Sequence, residues 1–140
     1  MLRKKGLKNK MYPKEAYHFL FLHFPIAIFI TGYIFHILYI IKNEDIYKTF
    51  FTWMLGMGIV WSVFSIITGY ITAFDNSRME SIGDIFTKNH SNLMLLSSLF
   101  FSCIYFLKDK NTQILLFFHT VAIILLIYGS HLGAKWTERI

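Results

Sequence analysis

The chain has 140 residues, of which 55% are hydrophobic and 16% charged, with a mean hydropathy of +0.48 and a formal net charge of +6. Soluble domains run at about 45–50% apolar and about 25% charged. Here the charges are also segregated into short clusters between long uncharged blocks. These features exclude a soluble globular domain, a secreted disulfide scaffold and a nucleic-acid binder, and leave a small, single-domain polytopic membrane protein.

All 14 basic and 8 acidic residues fall within 3–15, 42–48, 75–88, 108–110 and 135–139. The uncharged blocks between them, 16–41, 49–74, 89–107 and 111–134, reach or approach the ~20 residues a helix needs to cross ~30 Å of hydrocarbon. In chain order, residues 1–15 form a basic arm ending at Met11-Tyr12-Pro13-Lys14. Residues 16–136 form a four-helix transmembrane domain with spans at about 16–41, 49–74, 89–107 and 112–134, and 137–140 are a short tail. The links around Lys42-Asn43-Glu44-Asp45 and 108–111 are short enough to make helices 1–2 and 3–4 antiparallel hairpins. The longer loop, Asp75 to Lys88, carries Ile82, Ile85 and Phe86, which can lie as an amphipathic turn on the membrane surface. Trp53, Trp136, Tyr12, Tyr17, Tyr47 and Tyr105 fall near span ends, as an aromatic belt requires. The fold class is an all-α, integral membrane, antiparallel four-helix bundle.

With four spans both termini share one face. That face receives ten basic residues, Arg3, Lys4, Lys5, Lys8, Lys10, Lys14, Arg78, Lys88, Lys135 and Arg139, against Lys42, Lys48, Lys108 and Lys110 on the other. The positive-inside rule therefore places both termini in the cytoplasm, in a multi-pass protein of the inner membrane. The basic arm can rest on anionic headgroups. The first block is longer than a signal-peptide core and no A-x-A site follows it, so no cleavable leader is expected. Cys103 is the sole cysteine and reads as a packing residue.

Small residues let helices pack closely in lipid. Helix 2 carries Gly58, Ser62, Ser65, Gly69 and Thr72 on one stripe, and helix 4 carries Gly129 and Gly133 in a GxxxG arrangement that suits bundle packing or a homodimer. The chemistry-bearing residues are the six histidines His18, His23, His36, His90, His119 and His131, all within uncharged blocks. An ionisable side chain inside a span is costly and marks a candidate functional site.

Alternating helix direction puts His18, His23, His90 and His131 at the cytoplasmic end, beside Thr68, Thr72 and Asp75, and puts His36 and His119 in the outer half. Neutral imidazole ligates haem iron and transition metals. His23, His90 and His131 are thus the expected ligands of a haem b or a bare transition-metal ion, with Asp75 orienting one of them. Candidate axial pairs are His23 with His90 and His90 with His131. Basic residues at the same surface suit haem propionates.

His18 reads first as a solvated interfacial residue, since at 100° per residue it points about 140° from His23 unless Pro25 bends the helix. Met94 reads first as filler, with an axial sulfur ligand as the alternative. His36 and His119 read first as hydrogen-bonding helix glue, with a second metal or haem site as the alternative. No covalent-haem, nucleotide-binding, zinc-protease or hydrolase motif is present.

The segment His18-Phe19-Leu20-Phe21-Leu22-His23-Phe24-Pro25-Ile26-Ala27 resembles the opening His-Pro-x-x-x-His-Phe-Pro-Ile-Ala signature of a family of four-helix membrane proteins, domain of unknown function 2231. Thr68-Gly69 with Asp75, then His90, and finally Gly129-Ser130-His131-Leu132-Gly133-Ala134 are similar to that family's later motifs. The likeness covers roughly 16–136. Phe19 stands where the family has proline, and Ala134 where it has a second glycine. The family histidines correspond to His18, His23, His90 and His131. His36 and His119 fall outside the pattern, which argues against a second haem. The family's association with cytochrome and iron–sulfur domains implies redox work.

The leading functional expectation is a small b-type haem-binding electron carrier or redox subunit, serving a partner protein or quinone rather than acting as a stand-alone enzyme. The alternatives are a metal-ion or proton transport or handling protein, and a structural or assembly subunit with no cofactor.

Overall fold

The computed structural model describes the backbone of residues 14–75 and 89–137, and the side chains of 21–71 and 90–133. Four helices are found there: α1 (Lys14–Lys42), α2 (Asp45–Asp75), α3 (Asn89–Phe106) and α4 (Thr112–Thr137). Each uncharged block becomes one helix, because backbone groups in lipid must bond within their own segment. Three stretches, Phe21–Lys42, Asp45–Ile71 and Thr112–Gly133, are long and apolar enough to cross a membrane, and His90–Phe106 is a shorter apolar helix. The expected surface turn at Ile82, Ile85 and Phe86 lies outside the described residues, as does the basic arm before Lys14.

The two tight links are closed by asparagines. Asn43 takes a left-handed conformation, φ 54°, and its N–H donates to the Tyr39 carbonyl at 2.8 Å, ending α1. Asparagine is among the few side chains that tolerate this region. Asn111 caps α4: its side-chain oxygen accepts from the N–H groups of Gln113 at 3.0 Å and Ile114 at 3.2 Å, satisfying donors that a helix start leaves open.

Packing is closest within the hairpins α1–α2 and α3–α4, which join through α2–α3 and α1–α4 contacts. Gly58 admits the ring of Phe29, since a Cβ there would lie 2.5 Å from Phe29 Cε1. Phe29 in turn stacks on Phe101 of α3 at 3.7 Å between centroids, across the bundle diagonal. Phe51, Leu55, Ile104, Leu115, Ala122, Ile123 and Leu126 complete the buried cluster.

The polar distribution is that of a protein solvated by lipid. Buried polar residues include His36, Ser62, Ser65, Ser97 and His119, while Ile34, Val60, Phe64, Leu99, Phe117, Ile124 and Ile127 are exposed. Such an apolar exterior is far beyond what a soluble monomer displays. Ser62 donates to the Ile59 carbonyl and Ser97 to the Ala122 carbonyl of α4. Gly129 and Gly133 face α3 of the same chain, where Leu93, Met94 and His90 occupy the space a Cβ would take. The expected GxxxG surface is therefore used as an intrachain seam.

Candidate functional site: a buried histidine pair

The helices bring together two histidines that the sequence reading assigned first to bundle glue. His36 of α1 is 1% exposed and His119 of α4 is 0% exposed. Their Nδ1 atoms lie 3.1 Å apart, within hydrogen-bond distance. One proton fits between two such nitrogens, so one ring is the Nδ1–H donor and the other presents a bare Nδ1 lone pair. In a pair of neutral rings the donor then has a bare Nε2 and the acceptor an Nε2–H. Among the described residues neither Nε2 has a hydrogen-bond partner. Buried polar atoms are nearly always satisfied, and an exception calls for a physical explanation.

All four helices wall the pair. Phe51 of α2 stacks on His36 at 4.2 Å and 18°. Phe101 of α3 meets His119 edge-on at 5.6 Å. Tyr33 of α1 approaches the His119 ring at 5.1 Å and 71°. The Thr120 hydroxyl donates to the Leu116 carbonyl at 2.9 Å, so it accepts the Tyr33 hydroxyl at 2.8 Å. Tyr33 is thereby committed to Thr120, and its ring rather than its hydroxyl faces His119.

At the other end of the bundle the structure gathers less than expected. His23 lies 13 residues before His36, hence about 20 Å away along α1, and is exposed. His131 is exposed as well. The α3-facing stripe of α4 runs through Gly129 and Gly133, and His131, midway between them, is turned about 200° from each. His90 is partly buried, and its Nδ1–H donates to the Gly129 carbonyl at 2.7 Å. A Cβ on Gly133 would lie 2.6 Å from His90 Cε1, so this ring lies directly on the glycine. Among the described residues no group of three or more His, Cys, Asp and Glu side chains could hold a metal ion. The side chains of His18 and Asp75 lie outside the described set, and the role expected of Asp75 falls there with them. Cys103 is exposed, and Met94 packs against Gly129.

The sequence reading offered His36 with His119 only as an alternative second site, because span depth is readable from sequence and helix rotation is not. One signal was available: His36 and His119 sit at matching depth on α1 and α4, the first and last helices of a closed four-helix ring.

The fold and the site define a polytopic, four-helix membrane protein with a polar, histidine-bearing interior. The chain belongs to the family described as predicted membrane protein (DUF2231), whose model matches residues 14–140. No curated protein and no solved structure matches the chain.

Proposed function

We propose that this protein handles ions in the cytoplasmic membrane, holding a proton or a transition-metal ion at the His36–His119 pair. The observation that carries this reading is the hydrogen bond between two fully buried imidazoles whose remaining nitrogens have no partner among the described residues. A pair that served only to tie α1 to α4 would need one nitrogen from each ring. This pair offers two more, buried within the bundle at a cost in desolvation.

A proton added to the bare Nε2 of the donor ring allows that ring to release its Nδ1 proton to the partner's Nδ1. The partner then sheds its own Nε2 proton. One proton enters and one leaves, and the hydrogen bond between the rings is reversed in the process. The proposed orientation places both termini in the cytoplasm, on the ten-to-four basic bias.

The second reading is the electron carrier with haem b at His23, His90 and His131. It is favoured by one contact, the His90 Nδ1–H bond to Gly129, which leaves Nε2 free in the manner of an oriented metal ligand. The outward positions of His23 and His131 weigh against it.

Purified protein in sealed liposomes tests the leading reading, with proton and copper or zinc ion fluxes followed by trapped indicators. A flux present in the wild type and lost in folded His36→Phe and His119→Phe supports it. A flux that ignores both substitutions, or none for any of these ions, overturns it. A reduced-minus-oxidised absorption spectrum with haem bands that vanish in His90→Ala would transfer the assignment to the electron carrier.

A further inference from the structure

We infer that the His36–His119 pair is a two-coordinate site for a monovalent, soft d10 metal ion with the chemistry of copper(I). This rests on the ion-handling reading above and narrows it to one class of ion. Three features of the site lead there.

The first is the donor set. Two imidazoles converge, with Nδ1 atoms 3.1 Å apart, and among the described residues no third His, Cys, Asp or Glu joins them to make a metal group. Zinc in structural sites takes four ligands, and calcium and magnesium take six or more oxygens. Copper(I) and its congener silver(I) are satisfied by two nitrogens in a near-linear arrangement. Imidazole is a suitable donor for copper.

The second feature is charge. A divalent ion held by two neutral rings would bury two positive charges without a counter-charge, which is strongly unfavourable in a medium of low dielectric. A monovalent ion halves that charge. The aromatic walls offset part of the remainder: Phe51 is stacked parallel to His36 and its centroid is 5.7 Å from that of His119. A π face beside a desolvated cation is attractive.

The third feature is the proton inventory. Before binding, one ring carries Nδ1–H and the other Nε2–H. Ligation through both Nδ1 atoms requires the single shared proton to move to the Nε2 of its own ring. Both rings then carry Nε2–H, and no proton leaves the protein. Thiol or carboxylic-acid ligands would instead release protons on binding. Two nitrogens each about 2 Å from a shared ion can stand about 4 Å apart, so the rings need to separate by only on the order of 1 Å.

The test uses the full chain in detergent, titrated with silver(I), which needs no reductant, and with copper(I) under a competing chelator. One ion per chain should bind, with no proton release near neutral pH. X-ray absorption should report two nitrogen neighbours and no sulfur. His36→Phe and His119→Phe should each weaken binding by at least about 100-fold, the upper range for loss of a mere supporting contact, while circular dichroism stays helical. Cys103→Ser should bind as the wild type does. Loss of binding in Cys103→Ser, retention in both phenylalanine variants, sulfur in the coordination shell or no binding at all would each overturn the inference. If neither ion binds but proton flux still depends on His36 and His119, the metal assignment fails and the ion-handling reading stands. If binding and pair-dependent flux are both absent, the two fail together.

Discussion

His36 and His119 are 83 positions apart in the chain and share one hydrogen bond between their Nδ1 atoms at 3.1 Å, buried between the first and last helices. Their coupling is measurable. Replacing either by phenylalanine keeps most of the ring volume but strands the partner's Nδ1, and a stranded buried polar group costs about 1–3 kcal/mol. Replacing both removes every orphaned nitrogen. Reversible unfolding in mixed micelles should therefore show the His36→Phe/His119→Phe double variant less destabilised than the sum of the singles, by about 0.5–2 kcal/mol. Strict additivity would mean that the rings do not interact.

Gly58 and Gly133 are both occupied by rings, but the rings differ in freedom. The ring of Phe29 over Gly58 is held from behind by Phe101 at 3.7 Å. His90 over Gly133 is partly buried and anchored by one hydrogen bond to Gly129. Gly58→Ala should be the costlier substitution, at about 1–3 kcal/mol for overpacking. Gly133→Ala should be substantially relieved by adding His90→Ala, as read from midpoints in the same unfolding assay. Equal cost for the two alanines, or no relief, would contradict the seam described here.

At the end of the bundle where the helix links lie, Lys48 of α2 bonds Asp109 in the α3–α4 link at 2.8 Å, with Lys108 also near at 3.5 Å. The bond from Lys48 holds the Asp109 carboxyl below its ordinary range, although exposure opposes a large effect. A carboxyl depressed in the folded state stabilises above its unfolded value and loses that contribution as pH falls through the folded one. Asp109→Asn should thus lower the melting temperature slightly at pH 7, less so at high salt. The difference from wild type should fall away in acid, once pH has dropped through the carboxyl's lowered folded value. A difference that persists in acid would place its origin elsewhere.

The topology carries its own prediction. In a Cys103→Ser background, a cysteine at Asn43 or Asn111 should react with a membrane-impermeant maleimide from outside intact cells. A cysteine at Ile140 should react only after lysis. The opposite pattern would reverse the charge-based orientation.

Much of this architecture was legible in advance because lipid makes a blunt demand. Uncharged blocks became helices whose ends agree with the block limits to within four residues, and the antiparallel hairpins followed from links too short for anything else. The polar seam of α2 was also readable: Gly58, Ser62 and Ser65 are buried as their spacing implies. The site was not. Depth along a helix follows from residue number, but azimuth depends on how four helices settle against one another, and one residue of rotation is 100°. His23, His90 and His131 share a depth and yet face different ways. His36 and His119 share a depth and meet. Likewise Gly129 and Gly133 announced a close contact, and only packing showed that α3 fills it.

Nitrogen-15 spectra of the histidine rings in lipid nanodiscs, assigned with His36→Phe and His119→Phe, test the central claim most directly. The account predicts two rings in complementary tautomers, one with Nδ1–H and one with Nε2–H, joined by a measurable coupling across the hydrogen bond between their Nδ1 atoms. Two rings both protonated at Nε2, or rings in rapid exchange with water and uncoupled, would contradict it.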